Sequence, residues 1–188
     1  MNCIIVHGCP SNIEKAMNPE ERTYDKHWIP WLKKELEEKG IKTSVPLMPT
    51  PWEPDYNKWR KEFEKISINE ESVLVGHSCG SSFLVRWLGE TETRVKKLIL
   101  VAPSKISEGR RDLLNNLYDF DINENIKNRI GEIIIFVSDD DYEDIIKSAE
   151  LYHKKLEGKL IELNGRGHFT LGDMGTKEFP ELLEEILK

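Results

Sequence analysis

Six short runs rich in branched apolar residues recur along this chain, at residues 2–6, 41–47, 72–75, 97–101, 133–137 and 159–163. Between them lie stretches with apolar residues at helical spacing. Residues 27–39 carry Trp28, Trp31, Leu32 and Leu36, with Pro30 tolerated in a first turn and Gly40 as a stop. Trp59, Phe63 and Ile66 line one face of a second helix, and residues 79–89, 143–156 and 177–187 read as three more. Strands alternating with helices predict a parallel sheet covered on both faces. The near-continuous apolar strands agree, because strands with one wet face would alternate. Pro46 places the 41–47 strand at an edge, or ends it there. The expected architecture is a three-layer α/β sandwich, with a mostly parallel six-stranded sheet and a minimal cap, in one domain over 1–188.

Two connections are long. Residues 8–26 are polar and contain Pro10 and Pro19. Residues 103–131 contain Leu113, Leu114, Leu117, Tyr118 and Phe120 and read as a small lid segment, or else as an excursion packed over the sheet.

The chain has 188 residues, with Lys plus Arg 27 against Asp plus Glu 34, a net charge of -7. An acidic protein is repelled by nucleic acid and by anionic membranes, so neither is an expected partner. No apolar run approaches the ~20 residues of a membrane span. The start, Met1 to Val6, lacks the basic segment of a signal peptide. A cytoplasmic location is expected. The cysteines, Cys3, Cys9 and Cys79, are odd in number and lack Cys-x-x-Cys spacing, which predicts small buried or semi-buried residues kept reduced in a reducing cell, and neither a disulfide framework nor a zinc site.

Gly76-His77-Ser78-Cys79-Gly80 stands between the 72–75 strand and the 79–89 helix. Gly-x-Ser-x-Gly in strand–turn–helix context is the nucleophile-elbow pattern of α/β-hydrolases. A sharp turn lifts the serine hydroxyl above the sheet, while flanking glycines let strand and helix approach. The Cys79 backbone N–H, at the helix start, is a candidate oxyanion donor. A serine hydroxyl needs a base. His77 neighbours the serine but points away from it, His7 ends the first strand, and His27 and His153 read as surface or interface residues. His168 lies in the loop after the 159–163 strand, and loops after parallel strands converge on one edge. The acid should come from Ser138-Asp139-Asp140-Asp141, after the 133–137 strand. The order serine, acid, histidine is that of α/β-hydrolases. A calcium loop over Asp139, Asp141, Glu143 and Glu150 is disfavoured, because Asp144 stands where such a loop requires glycine. The second oxyanion donor should come from His7-Gly8-Cys9-Pro10. Proline has no N–H, which leaves the Cys9 amide.

These motifs resemble a family of small α/β-hydrolases typified by retinoblastoma-binding protein 9 and the bacterial YdeN-type proteins. The resemblance rests on the strand-to-His-Gly start, Trp28-x-x-Trp31-Leu32, Met48-Pro49 followed by Trp59, the elbow, the Ser-x-Asp-Asp of 138–141, and Gly167-His168-Phe169. It implies Asp141 as the acid, with Asp140 the alternative. This sequence departs from the family pattern at Tyr142-Glu143-Asp144 and at Cys9-Pro10. The Leu-x-Cys-x-Glu motif is absent, so a retinoblastoma-protein partner is not carried over, and no protein partner is identified.

The expected activity is hydrolysis of a small carboxylic ester or thioester by Ser78, His168 and Asp141, with no metal or organic cofactor. Trp28, Trp52, Tyr118 and Phe169 are candidate pocket walls. A non-catalytic binding module on the same fold, or lyase or acyl-transfer chemistry with the same three residues, are the alternatives.

Overall fold

The computed structural model describes residues 1–10, 12–18, 22, 24–106 and 116–188. Its strands are β1 (Asn2–Val6), β2 (Lys42–Ser44), β3 (Ser72–His77), β4 (Val95–Val101), β5 (Ile130–Ser138) and β6 (Lys159–Leu163). They form one sheet in the order β2-β1-β3-β4-β5-β6, every neighbouring pair parallel. The helices are α1 (Ile13–Met17), α2 (Ile29–Glu38), α3 (Tyr56–Phe63), α4 (Cys79–Glu90), α5 (Glu143–Leu156), α6 (Leu171–Met174) and α7 (Pro180–Leu187), with a 3-10 turn at Glu124–Arg129.

Strand side chains alternate between two cores, as a period of two requires. Ile4, Val6, Leu74, Leu98, Leu100, Ile133, Ile135 and Val137 face one layer, where α3, α4 and α5 pack. Cys3, Ile5, Val73, Val75, Ile99, Val101, Ile134 and Phe136 face the other, under α2 and α7. The first layer is aromatic at its centre. Phe83 of α4 meets Tyr56, Trp59 and Phe63 of α3 at 5.8, 5.6 and 5.2 Å between ring centroids. This cluster docks α3 on α4 and so supports the helix that begins at the elbow.

The expected elements form, with boundary changes of physical origin. β2 is shorter than 41–47, since an edge strand pairs on one side only and Pro46 cannot donate. The last helix begins at Pro180, which occupies its first turn. Its N-terminal neighbour α6, closed by a capping box at Thr170 and Asp173, is too short to show an apolar period. In the 103–131 connection, residues 107–115 of the expected lid lie outside the described residues. The flanking part is packed: Leu117 and Ile126 are buried. The Lys105 ammonium donates to the Tyr118 and Phe120 carbonyls at 2.6 and 2.7 Å.

The order places the switch in strand progression between β1 and β3. Ligands of open parallel sheets bind outside the strand C-ends at that point. Among the described residues no helix is long and apolar enough to cross a membrane.

Candidate active site

Four chain reversals meet at this edge, and each carries a non-glycine residue in left-handed backbone: His27 (φ 60), Ser78 (φ 52), Ala102 (φ 44) and Phe169 (φ 54). Such conformations cost about 1–3 kcal/mol each and persist only where the surroundings impose them. Ser78 is the sharpest case, with ψ -120 between the end of β3 and the start of α4. The flanking glycines explain how the turn closes. A Cβ on Gly76 would lie 2.6 Å from the Ser81 Cα, and one on Gly80 would lie 2.4 Å from the Val6 carbonyl oxygen. The Ser78 amide donates to the Val101 carbonyl at 2.9 Å, and the Ser81 and Ser104 amides donate to the Ser78 carbonyl.

Ser78 Oγ lies 3.0 Å from His168 Nε2, across 90 residues of chain. His168 Nδ1 lies 3.1 Å from both carboxylate oxygens of Asp141. The Asp141 side chain is fully buried, whereas that of His168 is 20% exposed. The structure therefore joins serine, imidazole and carboxylate in one hydrogen-bonded chain that opens to solvent at its serine end.

Asp140 is engaged otherwise. Its Oδ1 accepts from the Ser138 hydroxyl at 2.6 Å and the Gly167 amide at 2.8 Å. These bonds, the Ser138 one first, hold its carboxyl below the usual range. Asp139 accepts the Gly165 amide, and Ser138 Oγ accepts the Arg166 amide. Residues 138–140 thus fix the backbone of the loop that delivers His168, while Asp141 meets its ring. Asp173 adds a further support by accepting the His168 amide at 3.1 Å. The aspartate run is spent on loop amides and the imidazole, and no grouping of three metal-ligating side chains occurs among the described residues.

The other histidines are structural neighbours. His77, the residue before the serine, is buried, and its Nε2–H donates to the His168 carbonyl at 2.9 Å. His27, which reads as a surface or interface residue, is buried against the loop before α6, because the chain reverses at it before α2; its Nδ1 accepts the Leu171 amide. His7 is fully buried, donating from Nδ1 to the Gly8 carbonyl and accepting the Met48 amide at Nε2. His153 is exposed on α5 and donates to the Gly158 carbonyl. Burial pushes His7 and His27 from 6.5 down to about 4, and His77 well below its ordinary value.

These shifts have a signed consequence. The unfolded chain takes up protons on the three histidines as pH falls below about 6.5, whereas in the folded chain His7 and His27 stay neutral until about 4 and burial holds His77 neutral well below 6.5 too. Stability is therefore lost across that window as pH falls, by about 2 kcal/mol for His7 by pH 5. The thermal midpoint is expected to drop by several degrees between about pH 7 and pH 5. A midpoint that holds or rises over that range would contradict the buried, neutral assignment.

Two of the expected pocket walls are core residues instead. Trp28 and Phe169 are fully buried. Trp28 stands edge-on to His77 and Phe179, and Phe169 stacks on Phe179 at 5.2 Å. Their backbones lie at the edge, but the turns at His27 and Phe169 send both side chains into the α2–α7 layer. Tyr118 is half-buried beside the elbow, its hydroxyl donating to Ser104 Oγ at 3.0 Å. Trp52 is half-buried in the loop before α3. A groove of about 680 Å³ lined by Asn2, Lys42, Ser44, Ile66, Asn69 and Glu71 lies at the opposite, N-terminal ends of the strands.

The reduced-cysteine expectation is overturned. Cys9 and Cys79 form a disulfide across 70 residues, with Cα atoms 5.9 Å apart, and Cys3 alone is free. Pairing of β1 with β3 brings the loop after one against the helix after the other, a juxtaposition invisible in the spacing. The cysteine argument for a reducing compartment falls with it. The same close approach shows at Gly8, where a Cβ would sit 3.3 Å from that of Ser78.

Comparison with known proteins decides the family, since the serine hydrolase family profile matches residues 21–187. The chain belongs to the serine hydrolase family. It is an enzyme of that class and shares 28% identity over 166 residues with the serine hydrolase RBBP9 of Rattus norvegicus, covering 85% of this chain and 84% of the relative. The ydeN gene product of B. subtilis superposes with a TM-score of 0.85 at 21% identity, over 99% of this chain and 96% of that one. Est1E from Butyrivibrio proteoclasticus, with ferulic acid bound, gives 0.63 at 15% identity, over 100% and 90%. The expected α/β-hydrolase fold and the RBBP9/YdeN-type resemblance both hold for this serine hydrolase.

Proposed function

We propose that this serine hydrolase cleaves small carboxylic esters or thioesters through an acyl-enzyme on Ser78. His168 Nε2 takes the hydroxyl proton as Ser78 Oγ attacks the carbonyl carbon, and returns it to the leaving alcohol or thiol. Asp141 holds Nδ1–H toward itself, which fixes the tautomer and stabilises the imidazolium that forms. The Cys79 and Cys9 amides receive the developing oxyanion; among the described residues neither has another acceptor. Water, activated by the same imidazole, then releases the acid. Tyr118 and Trp52 remain the aromatic groups proposed to border the acyl chain.

The observation that carries this reading is the continuous hydrogen-bonded chain from Ser78 Oγ through His168 to Asp141. Three side chains from three separate strand ends do not meet in this order for packing reasons, since apolar residues would fill the same space without buried charge. An esterase-type neighbour with an aromatic acid bound is consistent with an acyl group of modest size.

A fluorophosphonate probe is expected to label the wild type and to leave Ser78→Ala unlabelled. Labelling of His168→Ala should slow by at least about 100-fold, the usual worth of a positioned base. Turnover of p-nitrophenyl acetate should follow the same ranking, and an acyl-length series of esters and thioesters then defines the substrate class. Labelling that persists in Ser78→Ala rejects the reading.

A further inference from the structure

We propose that the Cys9–Cys79 disulfide is a redox-controlled clamp on the oxyanion site, which holds the enzyme fast when oxidised and slows it when opened by a dithiol. The inference rests on the hydrolytic reading above. Both cysteines carry an amide assigned to the oxyanion, and the two amides sit on different elements. That of Cys79 is fixed by the first turn of α4. That of Cys9 is on the loop leaving β1, where the next residue, Pro10, offers no N–H to anchor it. On the near side the loop is held through Gly8, whose carbonyl accepts from the buried His7 ring. On the far side the covalent bond to Cys79 ties the loop to the helix bearing the other donor.

The two cysteines differ in burial. Cys9 is half-buried, while Cys79 is buried in the core. A dithiol reductant attacks the Cys9 sulfur as thiolate, forming a mixed disulfide and releasing the Cys79 thiolate, which takes a proton. The reductant's second thiol displaces the Cys9 sulfur and closes its own disulfide. Two electrons and two protons pass to the cysteine pair, and the reductant leaves oxidised. Cys3 takes no part, since it lies in the opposite core and burial pushes its thiol up to about 12. Opening the bond deletes neither amide. It frees the Cys9 amide to drift from the position the oxyanion needs, which costs less than the 10²–10³-fold of losing a donor.

The test compares oxidised wild type, dithiothreitol-reduced wild type and protein re-oxidised with diamide, below the thermal midpoint of the reduced form. Reduction is expected to lower kcat for p-nitrophenyl acetate about tenfold with KM within twofold, and diamide to restore it. Cys9→Ser keeps the backbone N–H and removes only the tie. It should match reduced wild type and ignore dithiothreitol, whereas Cys3→Ala should retain the full redox response. The rate of fluorophosphonate labelling of Ser78 provides a second readout. Ser78-dependent turnover that is the same within twofold in both redox states overturns the clamp and leaves the hydrolytic reading standing. So does a slowing by dithiothreitol that persists in Cys9→Ser. A mass unchanged by reduction after diamide treatment, showing that the pair never closes, also overturns the clamp. Turnover and labelling independent of Ser78 overturn both.

Discussion

Asp141→Asn is expected to lower kcat for p-nitrophenyl acetate by about 10⁴-fold, the effect of the corresponding change in a serine protease triad. Both Asp141 oxygens lie 3.1 Å from His168 Nδ1, and one also accepts the Tyr142 amide at 2.7 Å. An asparagine retains that geometry but can present its NH₂ to the ring. Nδ1 then becomes the acceptor and Nε2 carries the hydrogen, so the nitrogen facing Ser78 no longer takes a proton. Asp140→Asn is expected to cost only about 10- to 100-fold. Its Oδ1 survives as an amide oxygen able to accept from Ser138 and Gly167, and what is lost is the charge that tightens the loop. Steady-state kinetics on the two variants, with folding checked by circular dichroism, separates the roles. A larger loss for Asp140→Asn would reverse the assignment.

The sequence could not make that distinction unaided, because adjacent aspartates have the same local chemistry. What separates them is the path of the 164–168 loop, whose amides at Gly165 and Gly167 come to Asp139 and Asp140 and leave Asp141 for the ring. The sheet was legible because β-branched runs buried on both faces need no partner to be recognised, and the elbow because its glycines report backbone contact directly. His168 was legible from topology, since a loop after a parallel strand can emerge at only one edge. Side-chain direction was not. Trp28 and Phe169 stand at the right positions along the chain, yet follow positive-φ turns into the core. The disulfide was hidden for the opposite reason: β1 and β3 are neighbours in the sheet although 70 residues separate the cysteines.

Gly80→Ala is expected to be the most damaging single-methyl change in this edge of the protein, with a stability loss above about 3 kcal/mol and a fall in kcat of about 100-fold together. Two effects oppose each other. Alanine is the better helix former by about 1 kcal/mol, and position 80 lies in the first turn of α4. Against this, the new Cβ would stand 2.4 Å from the Val6 carbonyl oxygen and 2.7 Å from that of His7. The Val6 carbonyl closes β1, which is paired on both sides in the sheet, and that of His7 follows directly after it, so neither can swing aside as a side-chain tip would. The clash wins, and relief requires α4 and β1 to separate. That displacement moves Ser78 on one side and the Gly8-Cys9 loop on the other, which is why rate and stability fall together. Gly165→Ala provides the contrast. Its φ of 63 strains an alanine, by about 1–2 kcal/mol, but nothing lies within 4 Å of the added carbon. Urea unfolding and p-nitrophenyl acetate turnover on both variants should show a smaller stability loss and a near-normal rate for Gly165→Ala. Equal losses in the two would mean that the contact between α4 and β1 yields, and that the elbow is not held by it.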